Sequence, residues 1–431
     1  MRLRVPSSIP RGVVLILAFA VAVFLSYFSI RNALAVHYAD LETRQGYERA
    51  TRLEPGDYRN WYLLGRYWQF NLEEADSARA IQAYLTSLSF NPRSANTWMD
   101  LGATYESDGN LAAARNAYLQ AKKDYPISAD VAWRYGNFLL RQGELDPAFL
   151  EMRRGVEADH RLGAEAFSRS LRVEPDVEKI LDHVLPPASD VYLDVISDQI
   201  FDGHIEIALA VWDRLVAIHP RLHLKDAYPL TADLLKRKKY VEARRVWDQA
   251  AAFAGFSNLE GPPDSLLWDG GFESGLTGGS FTWLYPVNFE GVQISLDSRE
   301  KHSGNHSLRL TFDGRTNVYF NHICHNVVVQ PSTNYDFSAW VRTRELASNE
   351  GIRFQLRSVG TQDSSAVVTP DVHGSEPWTQ VEASWTSGED VQEMQVCVLR
   401  YPSDQEGHRI KGTAWIDDVA LVPAVTGRAK R

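Results

Sequence analysis

The residues best equipped for chemistry gather late in the chain. His322, Cys324 and His325 bring two imidazoles and a thiol close together, donor types that hold zinc. The alternation around them predicts a strand, which sets His325 on the face opposite the other two and leaves no three-ligand set. Asp417 and Asp418 offer paired carboxylates, but neighbours on a strand point opposite ways, the wrong geometry for a general acid and base. No glycine-rich phosphate loop, His-Glu-x-x-His helix or Gly-x-Ser-x-Gly elbow occurs. The expectation is a protein that is not an enzyme and requires no cofactor. Cys324 and Cys397, the only cysteines, either form one disulfide or stay as two separately buried thiols.

The elements that would carry such residues fall into three regions. At 431 residues the chain has room for two or three domains, and a formal charge of −10 argues against nucleic acid as a partner. Gly12–Ile30 is uncharged, built mainly of Val, Leu, Ile and Phe, and long enough to cross a bilayer as a helix. Its apolar residues favour insertion by about 4–7 kcal/mol. Arg2, Arg4 and Arg11 precede it, so the amino end should stay cytoplasmic and the body should be exported, to the periplasm in a Gram-negative cell. Ala33-Leu34-Ala35 resembles a signal-peptide cleavage site, yet the apolar core is long for one and Arg31 intervenes. Both readings export the body.

Helical spacing follows. Asn32–Leu53 is helical in pattern and ends in Leu53-Glu54-Pro55, like the second helix of a pair whose first half is the membrane segment. Trp98, Leu101 and Tyr105 share one face of a helix, and Asp108-Gly109-Asn110 ends it. Ala114, Tyr118 and Ala121 stripe a second helix that Pro126 breaks, while Gly102 is small where the two would cross. With Trp61, Leu64, Gly65, Trp68, Ala80, Tyr84 and Pro92 before it, this pattern resembles tetratricopeptide (TPR) repeats of about 34 residues. Trp133, Tyr135, Gly136, Leu139 and Ala148 open a looser third unit; the pattern blurs between His160 and Pro187 and returns weakly to about Ala254. About five repeats are expected, three of them well formed. The resemblance implies a groove lined by Tyr62, Arg66, Gln69, Met99, Glu106, Trp133 and Asn137, holding a protein, an extended peptide or a glycan chain.

Beyond a linker at residues 257–266, short alternating segments take over: Ser307–Phe312, Tyr319–Val329, Tyr335–Arg342, Ile352–Ser358, Thr379–Trp385, Met394–Tyr401 and Thr413–Val422. They predict an antiparallel sandwich. Gly270-Gly271-Phe272-Glu273, His302-Ser303-Gly304, Tyr335–Arg342 and Trp415–Leu421 recur in this order in a known family, so Leu267–Pro423 resembles the jelly-roll carbohydrate-binding modules of xylanases and β-glucanases. The resemblance implies a structural Ca²⁺ near Glu273 and Asp417; the alternative is that both carboxylates only accept hydrogen bonds from turn amides. For sugar, aromatic faces and amide or guanidinium donors are needed, and the outward candidates are Trp340, Arg342, Arg353, Gln355 and Arg357, on strands expected to be adjacent. Trp283 and Tyr285 are further candidates, while Trp378, Trp385 and Trp415 are expected in the core.

The expected organisation is therefore multidomain: residues 1–31 as cytoplasmic end and transmembrane helix, 32–256 an all-α TPR solenoid, 257–266 the linker, 267–423 an all-β jelly-roll sandwich and 424–431 a disordered tail. The expected role is a non-enzymatic, membrane-anchored scaffold binding a protein and a polysaccharide, in surface polysaccharide assembly or export. The alternative is a peptide-binding envelope assembly factor whose sandwich is only structural.

Overall fold

The computed structural model describes residues 11–256, 264–276, 278–285, 289–359, 366–404 and 409–424. Arg2, Arg4, most of the expected linker and the carboxyl tail lie outside them. The chain forms two compact units divided between Val191 and Tyr192.

The first unit holds α1 (Arg11–Ala39), α2 (Arg44–Leu53), α3 (Tyr58–Phe70), α4 (Ser77–Phe90), α5 (Ala95–Ser107), α6 (Leu111–Asp124), α7 (Ala129–Arg141), α8 (Leu145–Ala158), α9 (Gly163–Leu171) and α10 (Val177–His183). Asp57, Asp76, Ser94, Asn110 and Ser128 cap α3 to α7 by accepting an amide hydrogen from the first turn. The glycine of the repeat pattern has a steric reason. A Cβ at Gly65 would lie 2.6 Å from the ring of Tyr84, and one at Gly102 would lie 3.1 Å from Tyr118. Its tryptophan and proline are also coupled: Trp61 donates to the Pro55 carbonyl at 2.9 Å and Trp98 to that of Pro92 at 2.8 Å. Where the pattern blurs, α9 and α10 are short.

The apolar helix does not stop at Ile30. α1 runs unbroken to Ala39, and Ala35 and Ala39 are buried as it pairs with α2. The helix expected over Asn32–Leu53 is thus divided at residues 40–43, where Glu42 takes φ 51° and Thr43 caps α2. No glycine or proline marks that turn, so helical spacing carried through it.

The second unit begins inside α11 (Ser189–Phe201) and includes α12 (Ile205–Ala217), α13 (Tyr228–Lys236) and α14 (Tyr240–Phe253). Its strands are β1 (Val292–Asp297), β2 (Ser307–Asp313), β3 (Phe320–Val328), β4 (Asn334–Arg344), β5 (Arg353–Ser358), β6 (Ala366–Val368), β7 (Thr379–Thr386), β8 (Glu393–Arg400) and β9 (Lys411–Pro423). They build two antiparallel sheets, ordered β1-β2-β9-β4-β7 and β3-β8-β5-β6. Alternation sends Leu308, Leu310, Phe337, Val341, Phe354, Leu356, Val396 and Ile416 into the core between them. β1 and β6 are additions to the seven expected strands.

Cys324 and Cys397 are register partners on β3 and β8 and are joined by a disulfide. The bridge lies within one sheet. α13 and α14 pack on the segment that leads into the sandwich. Trp247 of α14 is fully buried among Tyr228, Trp268 and Phe281, and Arg244 donates to the Leu266 carbonyl at 3.0 Å. His325 sits in the core as well, with Nε2 2.9 Å from the Trp268 carbonyl; burial pushes its pKa down to about 4.

Candidate functional site

The outer face of the four-stranded sheet gathers groups suited to sugar. On β5, Phe354 and Leu356 point inward, so Arg353, Gln355 and Arg357 point outward. Register sets Arg357 beside Gln395 and Asn326, and Gln355 beside the disulfide. Arg357 Nε donates to Gln395 Oε1 at 3.0 Å, and Gln395 Nε2 donates to Asn326 Oδ1 at 2.9 Å. Asn321 Nδ2 donates to Gln355 Oε1 at 3.2 Å. Two tyrosines sit together at one end of this polar row. Tyr319 and Tyr401 are 49 % and 37 % exposed, their ring centroids 6.5 Å apart, and the guanidinium of Arg353 lies 5.2 Å from the Tyr401 centroid. Asn321 Oδ1 and Arg353 Nε are buried without a hydrogen-bond partner among the described residues. Aromatic faces with amide and guanidinium groups can stack on a sugar ring and bond its hydroxyls.

Three of the five residues expected to bind glycan, Arg353, Gln355 and Arg357, share this face. Trp340 and Arg342 do not. They lie on β4, in the other sheet, so the two sets occupy opposite outer faces and the expected adjacency of their strands is not realised. Trp340 instead stacks on His302 at 4.0 Å and 15°, and Arg342 pairs with Glu300 at 3.4 Å. Trp378, expected in the core, is half-buried and meets His302 edge-on at 5.7 Å. Trp283, a further candidate, is buried and donates to the Asp269 carbonyl. Tyr285 is half-buried and donates to the Leu276 carbonyl, while Trp385 and Trp415 are buried as expected.

Glu273 and Asp417 clasp one loop. Glu273 Oε1 accepts from the amides of Asn305 at 2.6 Å and His306 at 3.0 Å, and Asp417 Oδ2 accepts from those of His302 at 2.7 Å and Ser303 at 3.2 Å. Asp418 takes φ 47° at a β-bulge, which breaks the alternation. Both neighbouring carboxylates therefore reach the same loop rather than opposite faces, Asp418 accepting from the Ser303 hydroxyl at 2.6 Å. Burial pushes Asp417 up to about 6 against its amide donors. Burial also opposes ionisation of Glu273, but its amide donors prevail and hold its carboxyl below the usual range. Amide hydrogens aimed at these oxygens oppose a cation, and among the described residues no group of three His, Cys, Asp or Glu side chains is arranged to hold a metal ion. This donor set does not fit the implied Ca²⁺.

In the helical unit the expected groove residues converge on a carboxylate the sequence reading missed. Asp100, buried, accepts from the Tyr62 hydroxyl at 3.0 Å and from Arg134 Nη1 at 2.8 Å, with Arg66 Nε at 3.8 Å. Burial and the Asp100 carboxylate push Tyr62 up to about 12. Gln69 accepts from Tyr84 at 2.6 Å. Arg141 grips Glu106 through two contacts at 2.7 and 2.8 Å. Arg169 donates to Asn137 at 2.6 Å, 5.0 Å from the half-buried ring of Trp133. Met99, expected in the groove, is buried with Ala95, Ala121 and Val131. Asp100 and Arg134 occupy the same place relative to the glycines of consecutive repeats, and that opposite-charge pairing was the available signal.

Residues 264–401 match the model of a family described as a carbohydrate binding domain. Among solved structures, a family 16 carbohydrate-binding module is 16 % identical, covering 36 % of this chain and 99 % of that one, at a TM-score of 0.27. A xylan-binding domain of family 22 is 17 % identical, covering 39 % of this chain and all of that one (100 %), with a TM-score of 0.28. The TPR protein YrrB is 13 % identical, covering 49 % and 94 %, with a TM-score of 0.26. No curated protein sequence matches the chain. The chain combines TPR-type helical repeats with a carbohydrate-binding-module-like sandwich, domain kinds that are non-catalytic.

Proposed function

We propose that this is a non-enzymatic, membrane-anchored and exported scaffold that holds a polysaccharide on its sandwich and a protein or peptide on its helical repeats, in the assembly or export of a surface glycan. The observation that carries the glycan half is the pair Tyr319 and Tyr401 bordering the Asn321, Gln355, Arg357 and Gln395 row. It lies in the segment that matches a carbohydrate binding domain. The Asp100-centred groove favours a peptide partner alongside it, and a chain in which only that groove binds is the second reading. α1 supports a retained anchor: cleavage after Ala35 would remove Arg31, whose guanidinium grips Glu54 at 2.9 and 3.1 Å, and would leave α2 half-paired. The arginine bias ahead of the span supports export of the body.

A glycan array probed with the detergent-solubilised full chain tests the proposal. Retention of a polysaccharide class that Tyr401→Ala with Gln355→Ala abolishes, at unchanged melting temperature, is the expected result. Absence of any retention, with a peptide partner still captured through the groove, would leave the second reading.

A further inference from the structure

The turns of the first unit fall on two edges. α1 passes from its exposed apolar stretch into the body, turns at residues 40–43, and α2 returns until Glu54 meets Arg31 where that stretch ends. Antiparallel pairing then brings the α2–α3, α4–α5 and α6–α7 turns back to the Arg31 edge. Contacts across neighbouring helix ends keep that edge continuous: Ser87 donates to the Tyr58 carbonyl at 2.8 Å and Arg154 to that of Pro126 at 2.6 Å.

The two edges differ in chemistry. The Arg31 edge exposes Phe90 (50 %), Tyr125 (53 %) and Ile127 (88 %) beside the exposed cations Arg59, Arg93 and Lys123. The indoles of Trp61 and Trp98 sit just behind, bonded to the carbonyls of Pro55 and Pro92 in the same turns. The opposite edge exposes Leu41, Phe70 and Leu72 but is acidic in balance, carrying Glu42, Glu73, Glu74, Asp108 and Glu144 against Arg79 and Arg141. Aromatic and aliphatic tips interleaved with cations are the composition that settles at a headgroup layer, and each cation near anionic lipid contributes about 1 kcal/mol.

We propose that the edge formed by the α2–α3, α4–α5 and α6–α7 turns lies on the surface of the bilayer that α1 crosses, with Phe90, Tyr125 and Ile127 in the headgroup layer and Arg59, Arg93 and Lys123 against anionic lipid. The acidic edge then faces away from the membrane. The proposal rests on the reading of α1 as a retained span.

The test uses the full chain in vesicles of phosphatidylethanolamine and phosphatidylglycerol. A polarity-sensitive fluorophore is placed singly through Ile127→Cys, Leu72→Cys or Ala20→Cys; the two native cysteines are joined and do not label. The probe at position 127 should emit further to the blue than at 72, be quenched by headgroup-level nitroxide lipid and be shielded from iodide. Adding Arg93→Glu and Lys123→Glu should reverse that shielding. Equal iodide access at 127 and 72, with position 20 quenched only from lipid, overturns the edge contact and leaves the span standing. Iodide access at position 20 overturns the span and the proposal with it.

Discussion

The indole of Trp247 meets that of Trp268 edge-on at 5.2 Å, so α14 packs directly on the segment that leads into the sandwich. Trp247→Ala should destabilise the second unit by about 3–5 kcal/mol, the range for removing a buried large aromatic. Denaturant unfolding of residues 192–424 measures this. Residues 267–424 alone, which lack Trp247 and bare Phe281 and Trp268, should unfold at markedly lower denaturant.

Asp100 carries the groove network, and Asp100→Ala strands the Tyr62 hydroxyl and leaves the half-exposed Arg134 guanidinium with Asp130 alone. The loss should be about 1–3 kcal/mol, discounted for solvent around Arg134. Chemical denaturation of the first unit followed by far-ultraviolet circular dichroism reads it. An Asp100→Asn protein should retain part of the difference, because the amide oxygen still accepts.

Glu393 is 8 % exposed, and burial pushes its carboxyl from 4.5 up to about 6. A raised carboxyl keeps its proton longer in the folded state, so the folded form binds more protons between about pH 4.5 and 6. Stability from this group is present below that window and falls by about 2 kcal/mol as pH rises through it. His325, lowered to about 4, acts in the opposite sense over an overlapping range, losing stability as pH falls. The comparison that isolates Glu393 is therefore Glu393→Gln against the parent. The variant should gain melting temperature at pH 7 relative to pH 4.5, and an identical pH profile would sink the assignment.

The Cys324–Cys397 bridge spans a sequence separation of 73. In the chain-entropy model its loss costs roughly 4 kcal/mol, and often less in practice. Paired Cys324→Ser and Cys397→Ser should lower the denaturation midpoint by that order, and reductant should lower the parent alone. Two alkylatable thiols in the unfolded, non-reduced parent would rule the bridge out.

What could be read from sequence was what local spacing encodes. Trp98, Gly102 and Tyr118 marked a helix pair because their partners are close in sequence, the Pro92 carbonyl for Trp98 and the Tyr118 ring for Gly102. Strand alternation likewise sorted Phe337 and Val341 inward. Sheet membership was beyond that method. β4 and β5 alternate alike, yet the crossing between them puts Trp340 and Gln355 on different faces. Tyr319 and Tyr401 escape notice because each lies at the end of an expected strand beside a buried neighbour, and at Tyr401 that neighbour is Arg400, a charged residue that alternation would send outward. Asp418 was misplaced by a bulge, which period-two counting cannot see.

The unbroken course of α1 has a mechanical consequence. With no turn between its exposed stretch and the alanines buried against α2, the helix is a mast rather than a rope. A flexible tether would let the repeats sample a hemisphere above their attachment point, whereas a continuous helix fixes their bearing to its own tilt. On the proposed anchoring by α1, partners of the repeats would be met at a set height and azimuth, and would gain local concentration only if they too were held to the same plane.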